Sequence, residues 1–142
     1  MTAFLSITSF RNQLNEMLSF KRGVYSGLSE EICDAFNGVS MNQIRQNRDM
    51  ILMADDEVVI KLRLPDRKMR LSKSNGYRLI YLAMKHEDIV AFLDVYPKRG
   101  PLQKLDEDDR EILRLTSEFL NEMMQETIVE HDIVNSLAII KP

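Results

Sequence analysis

A chain of 142 residues, 44% hydrophobic and 29% charged, can bury the core of one ordinary globular domain. Charges interrupt every apolar run before membrane-spanning length, and Met1-Thr2-Ala3-Phe4-Leu5 lacks the basic region of a signal peptide. These features exclude a transmembrane reading and lead us to expect a cytoplasmic protein. Cys33 is the one cysteine, so no internal disulfide forms, and we expect it as a small buried residue. The net charge of −3 hides an asymmetry. Residues 59–104 hold eleven Lys/Arg against four Asp/Glu, a local +7, while residues 105–142 hold three against ten, a local −7.

In chain order, Ala3 to Thr8 alternates and predicts a short strand. Ser9 is the expected N-cap of a helix carrying Phe10, Leu14, Met17 and Leu18. Gly23 and Gly27 loosen the chain. Ser29-Glu30-Glu31 then opens a second helix, with Ile32, Ala35 and Phe36 inward and Asn37-Gly38 at its end. Ser40 to Asn47 reads as a short helix or turn. Met50–Met53 is an expected strand, paired across Ala54–Glu57 with a strand at Val58–Leu64. In that second strand Val58, Ile60, Leu62 and Leu64 share an apolar face, so Lys61 and Arg63 project together from the other.

Pro65 ends this strand, and Ser74-Asn75-Gly76 signals a tight turn. Tyr77–Lys85 and Ile89–Tyr96 predict an antiparallel hairpin across His86-Glu87-Asp88. Leu105 to about Thr127 predicts a long helix with an acid-rich start and a stripe of Leu105, Ile112, Leu115, Phe119, Leu120 and Met123. Ile128–Ile140 is expected to pack as a helix or a returning strand. The order of elements predicts an α+β domain with an antiparallel sheet.

His86, His131 and Cys33 show no zinc-ligand spacing, and we expect His86 in an exposed turn and His131 on a helix surface. No nucleophile elbow, phosphate-binding loop or dinucleotide fingerprint is present, so neither metal nor cofactor is expected. The basic residues form the one constellation with chemistry. Lys61, Arg63, Arg78 and Arg99 lie in or just after three predicted strands, and Arg67, Lys68, Arg70 and Lys73 lie in the loop between two of them. Such a surface suits a phosphate backbone. Tyr77, Tyr81 and Tyr96 are read two ways, as stacking platforms for an unpaired base or as core.

Ile60-Lys61-Leu62-Arg63, Lys73-Ser74-Asn75-Gly76-Tyr77-Arg78-Leu79-Ile80-Tyr81 and Leu93-Asp94-Val95-Tyr96-Pro97-Lys98-Arg99 resemble the RelE/ParE superfamily of bacterial toxins, on its RelE/HigB side. The resemblance implies a helical hairpin on a curved antiparallel sheet over residues 1–104. Residues 105–142 would then add an acidic helical extension packed on the same domain. It also implies a type II toxin–antitoxin system, with a metal-independent mRNA endoribonuclease that often works in the ribosomal A site. The implied partners are mRNA, the ribosome and a cognate antitoxin.

Cleavage in this family proceeds by attack of the ribose 2′-hydroxyl on the adjacent phosphate. Carried over by position, Lys61 is the base or its electrostatic helper, Arg78 holds the scissile phosphate, and Arg99 stabilises the transition state or protonates the leaving oxygen. Arg63, Arg67, Lys68, Arg70, Lys73 and Lys98 are the expected RNA-binding set. A tyrosine that some relatives carry shortly after the last arginine has no counterpart in Gly100-Pro101-Leu102-Gln103-Lys104-Leu105. That departure motivates the alternative, a catalytically weak or inactive module that binds RNA or protein on the same scaffold. The gyrase-inhibiting ParE branch is disfavoured, since it does not need the lysine and two arginines.

Overall fold

The two predicted central strands meet in full register. In a computed structural model that describes residues 1–46, 50–53 and 56–141, Glu57–Leu64 and Tyr77–Met84 pair antiparallel along their whole lengths. We number the elements β1 (Ala3–Ser6), α1 (Thr8–Leu18), α2 (Leu28–Phe36), α3 (Met41–Arg45), β2 (Met50–Met53), β3 (Glu57–Leu64), β4 (Tyr77–Met84), β5 (Ile89–Pro97), α4 (Asp109–Gln125), β6 (Val129–Asp132) and β7 (Ala138–Lys141). Short 3₁₀ turns occur at Lys21–Gly23 and Arg67–Met69. Asn47, Ala54 and Asp55, which fall in the expected third helix and first hairpin turn, lie outside the described residues.

The class is α+β, as expected, but the sheet is mixed rather than wholly antiparallel. Its order among the described residues is β2-β3-β4-β5-β1-β6-β7, with β1 parallel to β5 and antiparallel to β6. The first strand of the chain is therefore interior to the sheet. The segment Ile128–Ile140 resolves as the β6–β7 hairpin, so residues 105–142 supply strands as well as a helix.

Each face of the sheet has its own cover. One face carries Ile60, Leu62, Leu64, Tyr77, Leu79, Tyr81, Phe92 and Val95 in matched register. The first three helices lie over it, with Phe10 stacked on Phe92, Phe36 edge-on to Tyr81, and the Tyr81 hydroxyl donating to the Ile44 carbonyl. Tyr25 packs edge-on to Tyr77 on this side. The other face carries Val59, Lys61, Arg63, Leu82, Ile80, Arg78, Ala91, Asp94 and Tyr96. α4 packs against β5 here, burying Ile112, Leu115 and Phe119.

Two helix starts differ from expectation. α1 begins after Ile7, not at Ser9, and no side chain of its own segment caps it. Glu122 of α4 does so instead, accepting from the Thr8 amide at 2.9 and 3.1 Å and from the Thr8 hydroxyl at 2.8 Å. Glu122 thereby takes the last inward position of the α4 stripe, and Met123 and Leu120 are exposed. α4 itself starts at Asp109, capped by Asp108, so Leu105 falls outside the helix and is exposed.

Gly76 in the Ser-Asn-Gly turn is required for close approach. A Cβ there would fall on the Leu64 carbonyl oxygen and within 2.9 Å of Pro65 backbone atoms. Neither neighbour is a flexible side chain, so the turn itself must move. We predict that Gly76→Ala destabilises the fold by about 1–3 kcal/mol. Thermal melting checks this, and an unchanged midpoint would refute the close approach.

Candidate nucleic-acid interface

The β3–β4 register sets Arg63 directly opposite Arg78, with Lys61 two residues along on the same face. Two guanidinium-bearing residues in one cross-strand pair repel, so the surroundings must compensate. Arg78 is buried and is compensated by main chain. Its guanidinium donates to the carbonyls of Lys73 (2.8 Å), Tyr77 (3.1 Å) and Ser74 (3.2 Å). It thus ties the end of the basic loop to β4. That engagement uses three donors of the group expected to hold a phosphate.

Lys61 is compensated by the acidic extension. Asp106 reaches back over the sheet and pairs with Lys61 Nζ at 3.8 Å and Lys98 Nζ at 3.1 Å. The Tyr96 hydroxyl donates to the same carboxylate at 3.4 Å. Burial opposes ionisation of Asp106. The hydrogen bond from Lys98 and the charges of Lys61, Lys98 and Arg78 nevertheless hold its carboxyl below the usual range. The neighbouring Glu107 behaves oppositely. Burial, and then the hydrogen bond and charge of Asp94, push its carboxyl up to about 9. Its Oε2 is buried without a hydrogen-bond partner, which likewise favours the neutral carboxyl.

The remaining basic residues divide between two places. Arg63, Arg67 and Lys73 line a cavity of about 290 Å³ together with Glu31 and Asp34 of α2. Arg67 is clamped there, its amide and guanidinium donating to Glu31 at 2.7–3.3 Å and the guanidinium reaching Asp34 at 2.6 Å. Lys68 and Arg70 are exposed on the same loop, with Arg70 in the left-handed region at φ +57°. Arg99 is exposed. It borders a cavity of about 200 Å³ with Tyr25, Asp66 and Leu71, and its carbonyl accepts from the Tyr25 hydroxyl.

All three strand tyrosines are core. Tyr77 donates to buried Asp66 at 2.8 Å, Tyr81 to the Ile44 carbonyl, and Tyr96 is wholly covered, so none offers a face for base stacking. His131 is not on a helix surface but buried in β6. Its Nε2 lies 2.6 Å from Ser6 Oγ and its Nδ1 2.8 Å from the Leu137 carbonyl. Burial lowers its pKa, which keeps it neutral, and Ser6 is fully buried, so the pair joins β1 to β6 rather than presenting a nucleophile. No spacing rule links residues so distant in sequence, and the same holds for Asp94 with Glu107. Among the described residues no helix is long and apolar enough to cross a membrane, and no group of three potential metal ligands gathers. Comparisons with models of protein families, with curated proteins and with solved structures find no match.

Two outcomes follow from this geometry. Arg78→Ala should cost about 2–4 kcal/mol in chemical denaturation, because buried carbonyls lose charged donors. Arg78→Lys should recover only part of this, since an ammonium cannot reproduce the planar fork. For Glu107 the folded pKa lies above the unfolded one. Its contribution is therefore complete below the ordinary carboxyl range and is lost as pH rises toward about 9. Asp94 of β5, Lys104 before the helix and Glu111 of α4 are the charged groups that act on it. Glu107→Gln should flatten the fall in melting temperature between neutral and alkaline pH, and an identical fall in both proteins would exclude this pair as its source.

Proposed function

We propose that the protein is a RelE-like, RNA-directed toxin of a type II toxin–antitoxin pair. The observation that carries this is the Lys61–Arg63–Arg78 face, where two arginines sit in one cross-strand pair and a lysine lies alongside. A sheet that holds cations together in this way favours a polyanion. Arg63, Arg67, Lys68, Arg70, Lys73 and Lys98 bind the RNA backbone in this reading. Lys61 assists attack of the 2′-hydroxyl on its own phosphate. Arg78 orients that phosphate through the turn it braces, and Arg99 stabilises the departing oxygen once RNA spans the two sides. mRNA, the ribosome and an antitoxin are the partners, and the compartment is the cytoplasm.

A second reading is favoured by specific observations. Arg78 is buried with three donors engaged by carbonyls, and Arg99 borders a cavity that neither Lys61 nor Arg78 lines. On this reading the protein binds RNA, or a protein partner, without cutting.

The test is cleavage of labelled mRNA by the purified chain, with and without ribosomes. The toxin reading expects cleavage that Lys61→Ala and Arg99→Ala each reduce by about 10²-fold or more. Binding with a steep salt dependence and no cleavage selects the second reading. Cleavage indifferent to both substitutions would remove the proposed site.

A further inference from the structure

We infer that the Asp106 carboxylate sits in the seat of an RNA phosphate, and that residues 103–108 form a strap displaced when RNA enters. The inference rests on the RNA reading above and adds regulation to it. Lys61 comes from β3 and Lys98 from the end of β5, yet both ammonium groups converge on one carboxylate. That is the geometry with which two lysines hold a single phosphodiester oxygen pair.

The carboxylate is carried by a segment with neither helix nor strand, between Leu102 and the start of α4. Its ends are anchored by the Gln103 amide on the Gly100 carbonyl at 3.1 Å and by the Asp108 cap of α4, and the Tyr96 hydroxyl reaches Asp106 at 3.4 Å. The Lys104 amide donates to the Pro97 carbonyl at 3.1 Å, Lys98 Nζ reaches the Lys104 carbonyl at 3.3 Å, and the Glu107 amide reaches the Tyr96 hydroxyl at 3.4 Å. Asp106 is half exposed, and ion pairs open to solvent are weak. A phosphate backbone brings repeated charge and releases counterions on binding, so it outcompetes a single tethered carboxylate. α4 need not move, because its apolar side is buried independently of the strap.

The experiment compares the full chain with Asp106→Asn and with Asp109→Asn, a charge-matched control three residues on. Fluorescence anisotropy follows a labelled single-stranded RNA and, in parallel, inorganic polyphosphate, which has charge but no base or ribose. Asp106→Asn should tighten RNA binding about three- to tenfold. Its log affinity against log salt should keep close to the parent's slope, because the same phosphates are neutralised once the strap is displaced. Asp109→Asn should change affinity by about twofold at most, as screened charge does. Amides of residues 103–108 in the parent protein should exchange faster with RNA present.

Equal effects of the two substitutions, or no tightening with either ligand, would overturn the seat. Unchanged or slower exchange of residues 103–108 in the RNA complex would overturn the displacement. Tightened polyphosphate binding without RNA binding in any variant would retain the seat and remove the RNA reading.

Discussion

The β3–β4 ladder is the constraint on which the rest of the molecule depends. Its register commits one face entirely to apolar side chains and the other to a gradient, from Val59 and Leu82 to Lys61, Arg63 and Arg78. A uniformly apolar face takes any amphipathic cover, and three helices from the first third of the chain supply it. A graded face needs a cover that is itself graded. The segment from Asp106 to Glu122 is such a cover. It opens with the Asp106 carboxylate, which meets two cations, and continues with Ile112, Leu115 and Phe119, which are buried. The opposed net charges of residues 59–104 and 105–142 thus partly reflect a single local contact, seen at the level of the chain.

The same constraint explains why charged groups are buried here at tolerable cost. Arg78 is offset by three carbonyls of a turn that it also holds in shape. Glu122 lies beneath the surface because four unpaired amides at the start of α1 need an acceptor, and Thr8 and Thr127 complete its shell. Glu31 is buried against Arg67 for a similar reason, joining α2 to the basic loop. Asp94 and Glu107 are the exception, two neighbouring acids, where burial and then Asp94 raise the Glu107 carboxyl.

For function, the consequence is that the basic residues are not one surface. Lys61 and Lys98 form a small site closed by Asp106. Arg63, Arg67 and Lys73 form a groove shared with α2. Arg99 lies by Tyr25. An RNA strand that touched all three would have to cross between them and displace Asp106. The RelE-like reading and the binding-only reading differ in whether that crossing assembles Lys61, Arg78 and Arg99 around one phosphate.

Much was legible in the sequence because it depends on local periodicity. Alternation placed β1, β3, β4 and β5, and the outward pair Lys61 and Arg63 follows from a period of two. The end of α2 at Asn37-Gly38 is local chemistry of the same kind, whereas the start of α4 lies four residues beyond the expected Leu105. What the sequence left open depends on partners far along the chain. Ser9 is a good cap, but Glu122 arrives first. Met123 fits the stripe, but the cap displaces it. His131 has no readable partner until β6 lies beside β1. The distribution of charge along the chain alone determined that a cationic centre and an anionic tail coexist. Only the tertiary structure decided that they meet at Asp106, because contact between distant charges is set by the register of strands and not by their order in the chain.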